Sequence, residues 1–285
     1  MINKMMKRIA IHIVCVVAGF SASAQDYIKH EFMLRGATGV NSLLFDTQGV
    51  TNKVNVGGNV GVGYSFFFNS NWGIGTGLEL GFYSSEATID RLYAEYGAFD
   101  NSTREEFTFR YKGENFEEQQ SVTMLTIPLL ATFQKGTEYI FYSTAGVRIS
   151  IPVSATYDQK VSKLTTVGYY PSLGYPVEGV PEAGFVEIPG YNSSGDIDLK
   201  TSFMLSVEAG MKWKIRKCWH LYTGVYVDYG LNNIQKESDK ETVQYRTEQP
   251  DKLGSNSLLN TSLTESIHVI SCGIRVGVVF GKVSK

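Results

Sequence analysis

The stretch Val54–Ser84, VNVGGNVGVGYSFFFNSNWGIGTGLELGFYS, decides the fold. It reads as two strands of alternating character joined at Asn69-Ser70-Asn71. In the first arm Val56, Val60, Val62, Tyr64, Phe66 and Phe68 share one face, and Asn55, Gly57, Asn59, Gly61, Gly63 and Ser65 the other. In the second arm Trp72, Ile74, Leu78, Leu80 and Phe82 oppose Gly73, Gly75, Gly77, Glu79 and Gly81. Successive strand residues point to opposite sides, so one face is apolar and the other small. The small face is too rich in glycine and too poor in carboxylates for a good water-facing surface. The pattern fits a wall with lipid on its apolar side and a narrow, filled interior on the other.

The remaining chain repeats this plan. Phe32–Asn41 reads as a first strand, with Arg35 on the face of Ala37 and Gly39. Gln120–Phe133, Tyr139–Tyr157, Thr201–Lys214, Trp219–Leu231 and Ser266–Phe280 read as strands four to eight. Pro128 lies inside strand four, and a local irregularity is expected there because proline has no N–H for a ladder. Residues 86–118 carry no sustained alternation and read as a long loop, with extended or helical pieces inside it left open. Residues 158–198, with Pro171, Pro176, Pro181 and Pro189, read as a second, whose ends could extend the neighbouring strands. Residues 233–264 read as a third. Eight strands joined alternately by short turns and long loops make an all-β, antiparallel, up-and-down transmembrane barrel, with short periplasmic turns and long extracellular loops. Trp72, Trp213 and Trp219 all fall beside short turns, as a periplasmic aromatic girdle would require.

The N-terminus agrees with export. Lys4, Lys7 and Arg8 precede the apolar stretch from Ile9 to Phe20, and Ala22-Ser23-Ala24 offers a cleavage site, so residues 1–24 read as a signal peptide. The stretch is shorter than the roughly 20 residues a membrane helix needs. Residues 25–285 are then one barrel domain. Three of the 26 basic residues and none of the 28 acidic ones leave with the signal, and the mildly acidic remainder offers no nucleic-acid footprint. Of the remaining cysteines, Cys218 starts strand seven while Cys272 sits mid-strand, opposite about Val227. They are too far apart to bridge, and two free thiols are expected.

Taken together, the signal, the eight-strand plan, the strand MLTIPLLATF (Met124–Phe133) and the terminal strand CGIRVGVVFG (Cys272–Gly281) resemble the OmpA-type outer-membrane β-barrel superfamily, including its PorT-like branch. The resemblance implies integral residence in the outer membrane of a Gram-negative bacterium. Long OmpA-type chains add a peptidoglycan-binding domain, and no such segment is read here. The PorT-like branch implies a component of a protein export or assembly machine.

Arg35, Glu79, Arg148, Glu208, Lys212, Asp228 and Arg275 all fall on the interior face. Charges removed from water need partners, so a salt-bridge network plugging the barrel is expected; a gated ion path lined by the same charges is the alternative. Catalysis has little support. His30, His220 and His268 are scattered, no set has zinc-ligand spacing, and Ser266 and Glu265 beside His268 cannot share its face. The glycine runs lack the Lys-Ser/Thr ending and following helix of a phosphate loop. No catalytic residue, cofactor or metal is therefore expected. Tyr169, Tyr170, Tyr175, Phe185 and Tyr191 offer aromatic contact area to a partner, or pack loops on one another. The expected role is non-enzymatic, structural or adhesive, in a monomer whose partners are outer-membrane lipid and an extracellular ligand or other envelope proteins. A small-solute channel and a lipid-modifying enzyme are further alternatives.

Overall fold

The computed structural model describes residues 28–47, 49–216, 219–236, 240–249 and 251–284; the signal segment and Cys218 lie outside them. Eight long strands form the wall: β1 (Ile28–Thr47), β2 (Val56–Phe67), β3 (Trp72–Asp100), β4 (Glu105–Lys135), β5 (Tyr139–Tyr170), β6 (Ser202–Arg216), β7 (Trp219–Gly230) and β8 (Thr264–Ser284). Each pairs antiparallel with its sequence neighbours, and β1 pairs with β8 along its whole length, which closes the ring. Closure leaves no unsatisfied edge in the bilayer. The lipid-facing residues are those read from the alternation, with Phe32, Leu34, Val60, Val62, Ile74, Leu78, Leu80, Phe203, Val207, Val225, Ile274 and Val276 all exposed. Cys272 lies opposite Val227, as the strand lengths require.

Pro128 has the expected effect in a mild form. The β3–β4 ladder is continuous in register but lapses between the pairs Thr76 with Leu129 and Glu79 with Thr126, opposite the missing N–H. The register shift in β4 lies elsewhere, between Thr123 and Met124 on the β5 side.

The loop reading of residues 86–118 is corrected. β3 and β4 continue as one hairpin to a tight turn at 101–104, and β5 runs on to Tyr170. A strand Glu187–Asp196 adds to the far side of β5, and Tyr175–Val177 pairs at its tip. The outward apolar run of β3 ends at Phe82, so about 18 further residues project beyond it, roughly 60 Å along the strand. The alternation failed to announce these strands because it changes phase within them. Asp90 and Arg91 are both exposed between buried Ile89 and Leu92. Likewise β4 passes from buried Gly113 to buried Phe116, and β5 from buried Val161 to buried Leu164. The skipped positions Asp90, Asn115, Ser162 and Gly190 line up across four strands, with Asn115 at φ 49° and Gly190 at φ 66°. This crease runs across all four strands and moves the buried face of the sheet by one residue.

Candidate functional site

Within the barrel, the seven charged residues read from sequence all point inward and are buried. Glu79 on β3 sits at the centre. It accepts a two-pronged contact from Arg148 on β5 (2.8 and 2.9 Å) and a close one from Arg35 on β1. Asp228 on β7 lies 3.4 Å from Arg148 and 3.7 Å from Arg275, and accepts the Ser206 hydroxyl at 2.5 Å. Glu208 on β6 takes Arg275 and the Tyr142 hydroxyl, the latter at 2.7 Å. Inward glycines make room for these long side chains. A Cβ at Gly224 would collide with the Tyr142 hydroxyl, and one at Gly61 would meet Glu79 Cγ at 2.5 Å.

Lys212 belongs to a second cluster nearer the short turns. Its ammonium donates to Glu31 (2.6 Å) and Gln134 (2.9 Å) and lies 5.1 Å from the Phe67 ring, while Lys29 also pairs with Glu31 at 2.6 Å. Sequence reasoning missed Lys29, Glu31 and Phe67 because it began strand one at Phe32 and ended the inward list of strand two at Ser65. Carrying the period of two back three residues from Phe32 and on two residues from Ser65 would have found them. A cavity of about 30 Å³ among Met33, Arg35, Thr144, Lys212 and Tyr222 separates the clusters, room for little more than a water molecule.

Toward the long-loop end the interior becomes apolar. Leu43, Met124, Met204, Ile267 and Val269 from the wall meet Ile234 and Leu259 from residues 231–263, all fully buried. The short 3₁₀ turn Leu258–Asn260 lies in this mouth as a lid. Glu118 on β4 holds it. One carboxylate oxygen accepts from Ser257 Oγ (2.6 Å) and Gln120 (2.9 Å), the other from Gln159 (2.7 Å) and the Leu258 backbone N–H (2.9 Å). Burial pushes the Glu118 carboxyl above the usual carboxylate range, against the pull of these donors.

Above the mouth the projecting sheet has a core of its own. Ile89, Leu92, Phe107, Phe109, Tyr111, Phe116 and Leu164 pack against Val243, Tyr245 and Leu258. This corrects part of the loop-contact reading. Tyr170 and Phe185 are buried here, stacked on or edge-on to Phe107, and so offer no contact area. Tyr169 and Tyr191 are half-buried, Tyr169 beneath the Arg110 guanidinium at 4.8 Å; Tyr175 is exposed. At the opposite end, Trp72, Trp213 and Trp219 stand on the outer surface, packed against Phe133, Tyr139 and Phe280 at 4.7–5.6 Å between ring centroids. His268 meets the Gly230 carbonyl at 3.1 Å, and among the described residues no group of three or more His, Cys, Asp and Glu could hold a metal.

A closed antiparallel ring with an apolar outer band and charged residues inside defines an integral outer-membrane β-barrel. Residues 22–236 match the family model described as outer membrane protein beta-barrel domain, and the chain belongs to that family. Solved structures similar to it include a major outer membrane protein from Thermus thermophilus, 13% identical over 89% of this chain and 99% of that one, with a TM-score of 0.38. OprG from Pseudomonas aeruginosa is 11% identical over 92% and 98%, TM-score 0.35. Ail of Yersinia pestis, in complex with the heparin analogue sucrose octasulfate, is 10% identical over 90% and 100%, TM-score 0.30. None of the curated proteins matches.

Proposed function

We propose that this protein is a non-enzymatic surface-interaction barrel, closed to solutes, that acts through the sheet it raises above the outer membrane. The observation that carries the reading is the sheet itself. Three of the eight wall strands continue far past the lipid-facing band, and they bury a separate apolar core with the 231–263 connection. Membrane anchoring alone needs strands of about 9–11 residues, so the extension serves the aqueous side, where binding surfaces are built. Closure is supported by the interior ion pairs, the small cavity and the apolar mouth.

The test is a shortened barrel in which Thr88 is joined to Glu117 by a two-residue turn. Cells displaying the full and shortened forms are compared for adhesion to immobilised collagen, fibronectin and heparin and to one another, and both proteins are tested for conductance in planar bilayers. The reading expects adhesion only with the full form and no conductance from it. Equal adhesion by both forms, or steady conductance, overturns it. A stoichiometric envelope protein recovered with the gently solubilised barrel would instead favour the export-machine role that the PorT-like resemblance implies.

A further inference from the structure

The two charge clusters inside the barrel differ in balance. Around Glu79 the charges match, since Arg35, Arg148 and Arg275 meet Glu79, Glu208 and Asp228. Nearer the short turns they do not. Lys29 and Lys212 share the single carboxylate of Glu31, so among the described residues this cluster carries one positive charge in excess. Lys212 is 4% exposed and borders the cavity of about 30 Å³ that separates the clusters. Its ammonium has three protons. Two go to Glu31 and Gln134, which leaves one.

The other polar groups around this cavity are rich in donors that lack an acceptor. Arg35, Thr144 and Tyr222 all line it, and Arg35 Nε, Thr144 Oγ1 and the Tyr222 hydroxyl are buried with no hydrogen-bond partner among the described residues. The Arg35 and Tyr222 side chains are more than nine-tenths buried, so bulk water does not reach them. A guanidinium N–H can only donate, and a hydroxyl can donate as well as accept. The carboxylate in the lining, Glu208, is already committed, with one oxygen accepting from the Tyr142 hydroxyl and the other from Arg275. Buried donors left unmet are costly, and an unmatched buried charge more so.

We propose that the cavity binds one chloride ion. A water molecule would accept some of these hydrogen bonds, but it brings two protons of its own and leaves the excess charge unmatched. A monatomic anion accepts from Arg35 Nε, the Lys212 ammonium and both hydroxyls, and it cancels that charge. The volume sets the size of the ligand. Chloride is only slightly larger than water, whereas sulfate, phosphate or a carboxylate-bearing solute exceeds a cavity of about 30 Å³. Bound between Arg35 and Lys212, the ion ties the two clusters into one network. With the apolar mouth closed above it, it is a fixed part of the plug and not a conducted ion. The proposal is independent of the surface-interaction reading, which concerns the raised sheet.

The experiment uses the full barrel folded into detergent micelles. Crystals grown with bromide in place of chloride are expected to show a bromine anomalous peak between Arg35, Thr144, Lys212 and Tyr222. In solution, urea unfolding is compared in sodium chloride and in sodium gluconate at equal ionic strength. A ligand bound by the folded barrel alone lowers the unfolding equilibrium constant about tenfold for each tenfold rise in its concentration above the Kd. Chloride is expected to do so and gluconate is not. Thr144→Val with Tyr222→Phe removes two donors and keeps both shapes. This double variant should need about a hundredfold more chloride for the same effect, tenfold for each lost hydrogen bond. Density in the cavity without bromine signal means water only and overturns the proposal. A bromine peak with equal unfolding in chloride and gluconate means an adventitious ion only and also overturns it. So does a chloride effect that persists undiminished in the folded double variant.

Discussion

Replacing Glu118 with Ala should release the lid from the barrel mouth. The carboxylate accepts four hydrogen bonds, and two of them, from Ser257 Oγ and the Leu258 N–H, join the lid directly to the wall. Gln159 adds to the clamp by donating to the Asn256 carbonyl at 2.8 Å, and Tyr157 donates to the Ser255 carbonyl at 2.9 Å. A hydrogen bond to a charged group contributes about 1.5–3 kcal/mol net. Losing the two direct bonds, with the Gln159 contact loosened as its other acceptor disappears, should cost about 3 kcal/mol of lid docking. Hydrogen exchange read by mass spectrometry on the peptide covering residues 253–263 should then show roughly 150-fold less protection, while strands β6 and β7 in the membrane stay protected. The same clamp makes docking pH-dependent. A carboxyl whose pKa is raised in the docked state binds more protons docked than free, so docking weakens as pH climbs from about 4.5 through the raised value. Glu118→Gln, which cannot titrate, should flatten that dependence. Unchanged exchange in Glu118→Ala, or wild-type protection that rises with pH over this window, would refute the account of the lid.

Three further outcomes follow from the barrel. Glu79→Ala takes from buried Arg35 its one carboxylate partner among the described residues and leaves Arg148 with Asp228 alone, and should cost about 3–5 kcal/mol, read as a lower urea midpoint for unfolding from detergent micelles. Arg148→Ala with Arg275→Ala should admit small ions through planar bilayers only when combined with Glu118→Ala, because the apolar mouth closes the path independently of the charges. Leu78→Arg, placed on the lipid-facing surface, should destabilise by about 2–4 kcal/mol, whereas Thr88→Arg, beyond the apolar band, should change stability by less than about 1 kcal/mol in the same unfolding assay.

The sequence was legible where the membrane disciplines it. Lipid on one side and a filled interior on the other force a strict period of two, so Val60, Val62, Leu78 and Val276 could be placed outward and Glu79, Arg148 and Arg275 inward without coordinates. Above the bilayer both faces meet polar surroundings at their margins, and the crease at Asp90, Asn115, Ser162 and Gly190 shifts the pattern by one residue. Each half then looks too short and too polar to be a strand. Tyr170 and Phe185 were ambiguous for a related reason. Aromatic residues among prolines suit a contact surface and a local core equally, and only the position of Phe107 and Tyr245 beside them decides for the core. Glu118 carried no signal at all, since its partners come from Gln120, Gln159 and a connection about 140 residues away.

The central claim is that β3 continues as a folded strand far beyond the lipid. Spin labels placed singly at Ile74, Leu78, Phe82, Thr88, Arg91 and Tyr93 in bilayers would test it most directly, through collision with dissolved oxygen and with a water-soluble nickel chelate. The account predicts oxygen-dominated collision as far as Phe82, then nickel-dominated collision at Thr88, Arg91 and Tyr93 with label motion as restricted as in the barrel. Fast, loop-like motion at Arg91 and Tyr93, or oxygen-dominated collision there, would contradict it.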